Sequence, residues 1–397
     1  MNVGQLIELH ELALERVGKY PKKRFLYERL VKERGRHFVG IMGPRGVGKT
    51  VMLRQYARAN EGAFYLSADT LDPDVDPWPL LKVLREKLGF HTFLLDEVHF
   101  FRDASGLLKR LYDFLDVRVV FSSSVALAMD VSRHDLSRRV RMLTLHTFSY
   151  REYLFFSQGK TLATLDLASL QNEQWSAEHV RHGFLFDNYL TGGQLPYAIE
   201  EIEPLALLQN ILDKVTTRDL PSVVRLTVDE LAVIKRMLRF IGRSAVDGIN
   251  YSSLSRNVSI TKYKAAQYVS ALEKAFVLHQ VFPFGANVLR EPKVLMAPPY
   301  RLLFRDYEDC VGGLREDFFC QSMVQAGVDI HYLKTKRGAK TPDFLITGPE
   351  KVVIEVGGRG KGRRQFKGVE VDKKFIAAHI EVPQENRIPL FMFGYLS

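Results

Sequence analysis

Cysteine is nearly absent: the 397 residues include two, Cys310 and Cys320. That excludes a disulfide framework and a cysteine-built metal cluster, and it makes a reducing cytoplasm the expected setting. Long apolar runs are also missing. The existing ones are short and interrupted, as at Phe93-Leu94-Leu95 before Asp96, far below the ~18 residues of a membrane span. No membrane partner is expected. Residues 1–20 set Glu8, Glu11 and Glu15 among apolar positions, the pattern of an amphipathic helix and not of a signal peptide. No Asn-Lys-x-Asp segment of the kind that reads guanine is visible.

What is present is a foldable, basic chain. Hydrophobic residues make up 46% and aromatics 11%, enough for genuine cores. The length suggests two or three domains. Net charge is +10 and the isoelectric point is about 9.4. From Lys334 to Lys367 there are ten Lys/Arg against Asp343, Glu350 and Glu355, a local excess of +7 (10 − 3). A field localised in this way favours a polyanion partner, DNA in particular; a solvated face without a partner is the alternative.

The strongest signal lies early. His37-Phe38-Val39-Gly40-Ile41-Met42 reads as a buried strand and runs into Gly43-Pro44-Arg45-Gly46-Val47-Gly48-Lys49-Thr50, then into helical Val51-Met52-Leu53-Arg54. Strand, G-x-x-x-x-G-K-T, helix is the context of a P-loop. Gly46 and Gly48 let backbone N–H groups turn inward around a β-phosphate. The helix N-terminus adds its positive end. Lys49 is expected to reach the β/γ-phosphates and Thr50 to bind Mg²⁺. The cofactors expected are thus a nucleotide triphosphate and Mg²⁺, with residues Gly43 to Val51 as the binding loop.

A second strand should supply an acid. His91-Thr92-Phe93-Leu94-Leu95-Asp96-Glu97 places Asp96 at a strand's C-terminal end, where ligands bind in open α/β sheets. Asp96 is expected to hold the metal, directly or through water, and Glu97 to orient the attacking water. Val117–Phe121 reads as a further strand ending in Ser122-Ser123-Ser124, followed by Leu136-Ser137-Arg138-Arg139. A hydroxyl there suits γ-phosphate sensing, and an arginine suits charge stabilisation from a neighbouring subunit. A serine turn and a plain basic loop are the simpler readings.

Together with Thr147-Phe148-Ser149-Tyr150-Arg151-Glu152-Tyr153 and Tyr189-Leu190-Thr191-Gly192-Gly193-Gln194-Leu195-Pro196, these motifs resemble the archaeal and bacterial AAA-type ATPases with a C-terminal domain of unknown function. In that group a strand ends in Gly-Ser and a Gly-Arg pair follows; here Ser122-Ser123 and Arg138-Arg139 stand in those places. The resemblance implies ATP rather than GTP, catalytic roles for Lys49, Glu97, Ser123 and Arg139, and a helical lid beside the nucleotide.

Further on, Thr227 and Glu230 form a capping-box pattern before Leu231, Ile234, Leu238 and Ile241 at helical spacing. A short helix after Tyr251, a helix capped by Thr261 and a strand at Val277–Phe282 complete a winged helix-turn-helix pattern. Ala265, Val269, Leu272 and Phe276 are expected in its core. Lys262, Tyr263, Lys264, Gln267 and Ser270 are left for a DNA groove or for water. Packing or dimerisation is the other use of such a module.

The last segment carries Glu316, Pro342-Asp343 and Val352-Val353-Ile354-Glu355-Val356-Gly357. This resembles the Pro-Asp…Glu-x-Lys core of restriction-endonuclease-like folds, with Gly357 where the lysine belongs. The expected use is therefore binding or scaffolding on a catalytically degenerate fold, with Arg359, Lys361, Arg363 and Arg364 as a polyanion-holding flank. A cation relocated to Arg359 or Lys361 would leave an active, metal-dependent nuclease.

The expected architecture is α/β: a P-loop parallel-sheet core over 1–155, a helical lid over 156–222, a winged helix over 223–300 and a nuclease-like α/β domain over 301–397. The expected function is Mg²⁺-dependent ATP hydrolysis coupled to DNA binding. A nucleotide-switched scaffold with a protein partner or a second copy of the chain is the alternative.

Overall fold

A computed structural model of the chain describes residues 3–72, 74–124, 136–244, 248–285, 291–333, 342–348, 350–366, 369–371, 373–384 and 386–397. The chain divides into two compact units, Met1–Thr147 and Phe148–Ser397.

In the first unit, α1 (Val3–Arg16) and α2 (Leu26–Lys32) precede a five-stranded sheet. Its strands are β1 (Phe38–Met42), β2 (Ala63–Ser67), β3 (Thr92–Asp96), β4 (Arg118–Ser123) and β5 (Val140–Thr144), in the order β2-β3-β4-β1-β5. Every pairing is parallel. Parallel strands need crossovers, and helices α3 (Lys49–Arg58), α4 (Trp78–Glu86) and α5 (Ala104–Phe114) provide them. Both faces are covered. Phe64, Phe93, Val119 and Phe121 pack on one side, and Val39, Ile41, Leu94 and Val120 pack on the other. Two buried faces explain why these strands read as continuous apolar runs without alternation. In register, Met42 lies opposite Ser123, and Ser67 opposite Asp96. The C-terminal ends of the strands therefore gather at one edge, where Gly43 follows β1.

The second unit contains helix Val228–Arg243, which opens on the Thr227/Glu230 capping box, then helices Tyr251–Val258 and Lys262–Lys274. Strands β6 (Leu278–Val281) and β7 (Lys293–Met296) follow and pair antiparallel. Ala265, Val269 and Leu272 are fully buried as expected. Phe276 is only half-buried, in a left-handed turn at φ 60°. Tyr268 is buried with Val269, and its hydroxyl donates to Glu230 at 2.8 Å.

The long helix Tyr307–Ala326 packs on a second sheet. That sheet comprises β8 (Ile330–His331), β9 (Phe344–Ile346), β10 (Val352–Gly357), β11 (Lys373–Ala378) and β12 (Arg387–Pro389), in the order β12-β11-β10-β9-β8. Phe318, Phe319, Phe344, Ile354 and Phe393 lie in one buried cluster there. Asp317, fully buried, accepts from Arg301 Nε at 2.6 Å, Arg301 Nη2 at 3.0 Å and Met296 N at 3.1 Å. Arg301 also donates to the Ile241 carbonyl at 3.2 Å, so this pair ties β7, the long helix and Val228–Arg243 together.

Candidate functional site

The loop after β1 closes on itself. Gly46 and Gly48 sit at φ 79° and 92°, a region glycine enters without a Cβ penalty. Gly43 lies against the exit of β5: a Cβ there would come within 2.0 Å of the Leu145 carbonyl oxygen. Lys49 is 4% exposed, and its ammonium donates to the carbonyls of Gly43 and Pro44 at 2.8 and 2.9 Å. The lysine is thus folded across the loop and held by oxygens that a phosphate can replace. Thr50 follows it in the first turn of α3, and Arg45 is partly exposed at the loop's crest.

Asp96 ends β3 and is 1% exposed. Tyr65 donates its hydroxyl to Asp96 Oδ2 at 2.8 Å, and Ser122 donates to Oδ1. Ser122 Oγ also accepts from Glu97 N at 2.9 Å. Neither Tyr65 nor a specific role for Ser122 was legible beforehand. A polar side chain on the strand beside the acid is the only signal, and it is weak.

Glu97 is held at φ 51°, a sparsely populated conformation for a residue with a side chain. Burial pushes its carboxyl above the ordinary value, while Lys49 and Arg45 pull it back down. Its Oε2 lies 3.2 Å from His99 Nδ1, a charge-pairing distance without hydrogen-bond alignment. Ser123 is 2% exposed, and its Oγ stands 3.5 Å from the same nitrogen. The structure therefore gathers the Gly43–Val51 loop, Asp96, Glu97 and Ser123 at one edge of the sheet.

Arg139 is not brought there. It immediately precedes β5, and its carbonyl accepts from Phe38 N at the start of β1. Because β5 runs parallel to β1, Arg139 lies at the opposite edge from the loop, a strand's length away. Its guanidinium grips Asp113 at 3.0 and 3.2 Å.

A second group of charges assembles in the other unit. The β9–β10 register pairs Phe344 with Ile354, so Asp343 and Glu355 face each other one step further along. Val356 N donates to Asp343 Oδ2 at 2.8 Å. Glu355 is 1% exposed; Lys361 Nζ stands 2.7 Å from its Oε1, and its Oε2 has no partner. Lys361 folds back over Gly357, where any Cβ would meet its side chain at 2.7–3.0 Å. Lys293 pairs with Glu316 at 2.5 Å. Burial, with Glu316 and Glu355 nearby, pushes the Asp343 carboxyl up to about 7, and Glu355 rises as well. A cavity of about 330 Å³ opens beside these groups, lined by Lys293, Glu316, Gly357, Gly358 and Lys361. Among the described residues, no three acid, histidine or cysteine side chains converge to cage a metal ion by themselves.

The expected nucleic-acid residues are dispersed. Tyr263 is 73% exposed. Lys262 pairs with Glu291 at 2.8 Å and Lys264 with Glu230 at 2.9 Å. Arg359 stands 3.9 Å from Glu381 at the surface. The side chains of Arg363 and Arg364, and Lys334, Lys336, Arg337, Lys340 and Lys367 of the basic segment, lie outside the described residues. Among the described residues, no helix is long and apolar enough to cross a membrane.

A parallel sheet with a glycine loop and buried lysine after its first strand, and an aspartate at the end of a neighbouring one, defines a P-loop nucleotide fold. Comparison with known families agrees. Residues 35–154 match the family described as AAA domain. Residues 184–302 match a domain of unknown function. An uncharacterized protein of Methanocaldococcus jannaschii is 26% identical over 427 aligned residues, covering 92% of this chain and 89% of that one. Two solved structures share a loose likeness. The Aeropyrum pernix ORC1 protein in complex with DNA gives a TM-score of 0.31 at 12% identity, covering 78% of this chain and 92% of that one. AMPPCP-bound DnaA from Aquifex aeolicus gives 0.24 at 15%, covering 66% and 87%.

Proposed function

We propose that the first unit binds ATP with Mg²⁺ and hydrolyses it. The observation that carries this reading is the buried Lys49 ammonium, donating to the Gly43 and Pro44 carbonyls, beside the Asp96–Glu97 pair. Lys49 exchanges those carbonyls for β- and γ-phosphate oxygens. The donor set fits a hard cation: the Thr50 hydroxyl and Asp96, whose oxygens are already oriented by Tyr65 and Ser122, would hold it. When bound, Mg²⁺ neutralises charge on the phosphate oxygens. Glu97, raised by burial, is suited to accept a water proton. Ser123, at the same sheet edge as Glu97, is proposed to address the γ-phosphate, and Arg139, at the opposite edge, to act on a neighbouring copy. Phosphate release from wild type and Glu97→Gln tests this; the variant should lose about 10²–10⁴ in turnover while still binding nucleotide. Equal rates would refute the role of Glu97.

Hydrolysis is proposed to switch a DNA-binding body. Support comes from the three helices and antiparallel ribbon of residues 228–296, read as a winged helix, with Tyr263 exposed on the third helix. The ion pairs of Lys262 and Lys264 are surface pairs that exchange cheaply for phosphates. Duplex binding should weaken steeply with salt; no binding at low salt favours a protein partner instead.

One observation favours a second reading for the C-terminal sheet. Lys361 reaches Glu355 from the turn after β10, which restores the cation that Gly357 lacks. Asp343 and Glu355, opposed across β9 and β10, then suit a divalent ion that phosphate oxygens and water complete. Metal-dependent nicking of duplex DNA, lost in Asp343→Ala and Lys361→Ala, would support it. Absence of nicking in wild type with Mg²⁺ or Mn²⁺ would leave the fold a binding module.

A further inference from the structure

Arg24 belongs to no motif of the sequence and lies outside the 35–154 span that matches the AAA family. It precedes α2 and is 7% exposed. A buried guanidinium is costly unless its donors are used. Here Nη1 donates to the Val47 carbonyl at 2.5 Å and Nη2 to the His146 carbonyl at 2.8 Å. The first is inside the phosphate loop. The second is one residue beyond Leu145, whose N–H donates to Met42 O at 2.8 Å and whose oxygen abuts Gly43.

The geometry of one peptide unit gives this contact a consequence. In a trans peptide the carbonyl and the following N–H point in opposite directions. Among the described residues, the only cis bond is Pro298–Pro299. Holding the Val47 carbonyl toward Arg24 therefore points the Gly48 N–H away from Arg24. Gly48 sits at φ 92°, and a Cβ there would meet nothing within 4 Å, so the loop is open on the side where that Cβ would lie. A cation on the carbonyl also polarises the peptide and strengthens its N–H as a donor.

Resting on the reading of this loop as a nucleotide site, we infer that Arg24 is a positioning residue for the phosphate cradle. It aims the Gly48 N–H at the β-phosphate of a nucleoside di- or triphosphate and ties the far end of the loop to segment Leu145–His146. It touches no phosphate itself. Its fork suits the task because a planar guanidinium holds two carbonyls in fixed directions, while an ammonium is a point charge on a flexible stem that fixes neither.

The test is calorimetric titration of wild type, Arg24→Gln, Arg24→Lys and Lys49→Ala with ADP and with a non-hydrolysable ATP analogue, each with Mg²⁺. Arg24→Gln should weaken both nucleotides by about tenfold or more, and to the same extent, because both carry the β-phosphate. Arg24→Lys should fall between it and wild type. At saturating ATP, the turnover of both variants should stay within about twofold of wild type, so that KM moves and kcat does not. If Arg24→Gln fails to fold, Arg24→Lys decides. Wild-type affinities in the Arg24 variants would overturn the inference, and so would a loss confined to the ATP analogue, which would signal direct γ-phosphate contact. Binding by wild type that Lys49→Ala abolishes leaves the nucleotide reading intact even then; no binding by wild type removes both.

Discussion

Asp317 should be the most sensitive single position in the second unit. It is fully buried and receives two bonds from Arg301, itself 4% exposed, and one from Met296 N. Asp317→Ala leaves a guanidinium in the interior with only the Ile241 carbonyl at 3.2 Å and the more distant Ser244 carbonyl at 3.5 Å. Removing one partner of such a pair costs about 3–5 kcal/mol, most of it the uncompensated buried charge. A domain of this size moves by roughly 2–4 °C per kcal/mol, so the melting temperature should fall by roughly 6–20 °C. The chain has two tryptophans, Trp78 in the first unit and Trp175 in the second. Urea unfolding followed by Trp175 emission in a Trp78→Phe background therefore reports the second unit alone. Replacing both partners, Arg301→Met with Asp317→Leu, removes both charges together and should cost less than Asp317→Ala. A loss under about 1 kcal/mol for Asp317→Ala, or a double variant equal to the sum of the singles, would refute this account.

Gly43→Ala should disable the first unit, because the new methyl would meet the Leu145 carbonyl oxygen at 2.0 Å and backbone cannot rotate away as a side chain can; wild-type melting and nucleotide affinity would contradict this. Tyr65→Phe removes one of the two hydroxyls on Asp96 and should weaken Mg²⁺-dependent turnover severalfold while nucleotide affinity without metal is unchanged, as read by Mg²⁺ titration of phosphate release. The raised Asp343 carboxyl makes stability pH-dependent. Between 3.8 and about 7 the folded chain keeps a proton that the unfolded chain has released, so stability should fall as pH rises through that window. Asp343→Asn should flatten the slope in chemical denaturation at several pH values, and an unchanged slope would remove Asp343 as its source.

The parts legible in the sequence are those encoded by local spacing. Strand, loop and helix at 38–58 announce themselves because the phosphate cradle is built from consecutive residues. Asp96 follows because an apolar run must end where the sheet ends. The Thr227/Glu230 box marks its helix because a cap is a three-residue event. What escaped depends on long-range registration. Arg139 looks close to the site by order along the chain, yet the parallel β1–β5 register puts it at the far edge. Tyr65 meets Asp96 because β2 lies beside β3. Arg24 reaches Val47 across 23 residues of sequence. In the core of residues 228–296, helical periodicity selects Ala265, Val269 and Leu272 but passes over Tyr268, whose polar tip finds Glu230. Lys361 is the instructive case. The sequence shows Gly357 in place of a lysine and offers Arg359 or Lys361 as a stand-in; the reversal of the chain after β10 leaves Arg359 by Glu381 and brings Lys361 back to Glu355. The run of glycines between them is the visible trace, since Gly357 has room for that side chain only by lacking its own.

The measurement that bears most directly on the whole account is equilibrium binding of ATP and Mg²⁺ to the intact chain, compared with Lys49→Ala. Saturable binding at one site per chain, lost by at least about a hundredfold on removing the ammonium that now spans the Gly43 and Pro44 carbonyls, is the expected result. Absence of binding by the wild-type chain, or undiminished affinity in Lys49→Ala, would contradict it.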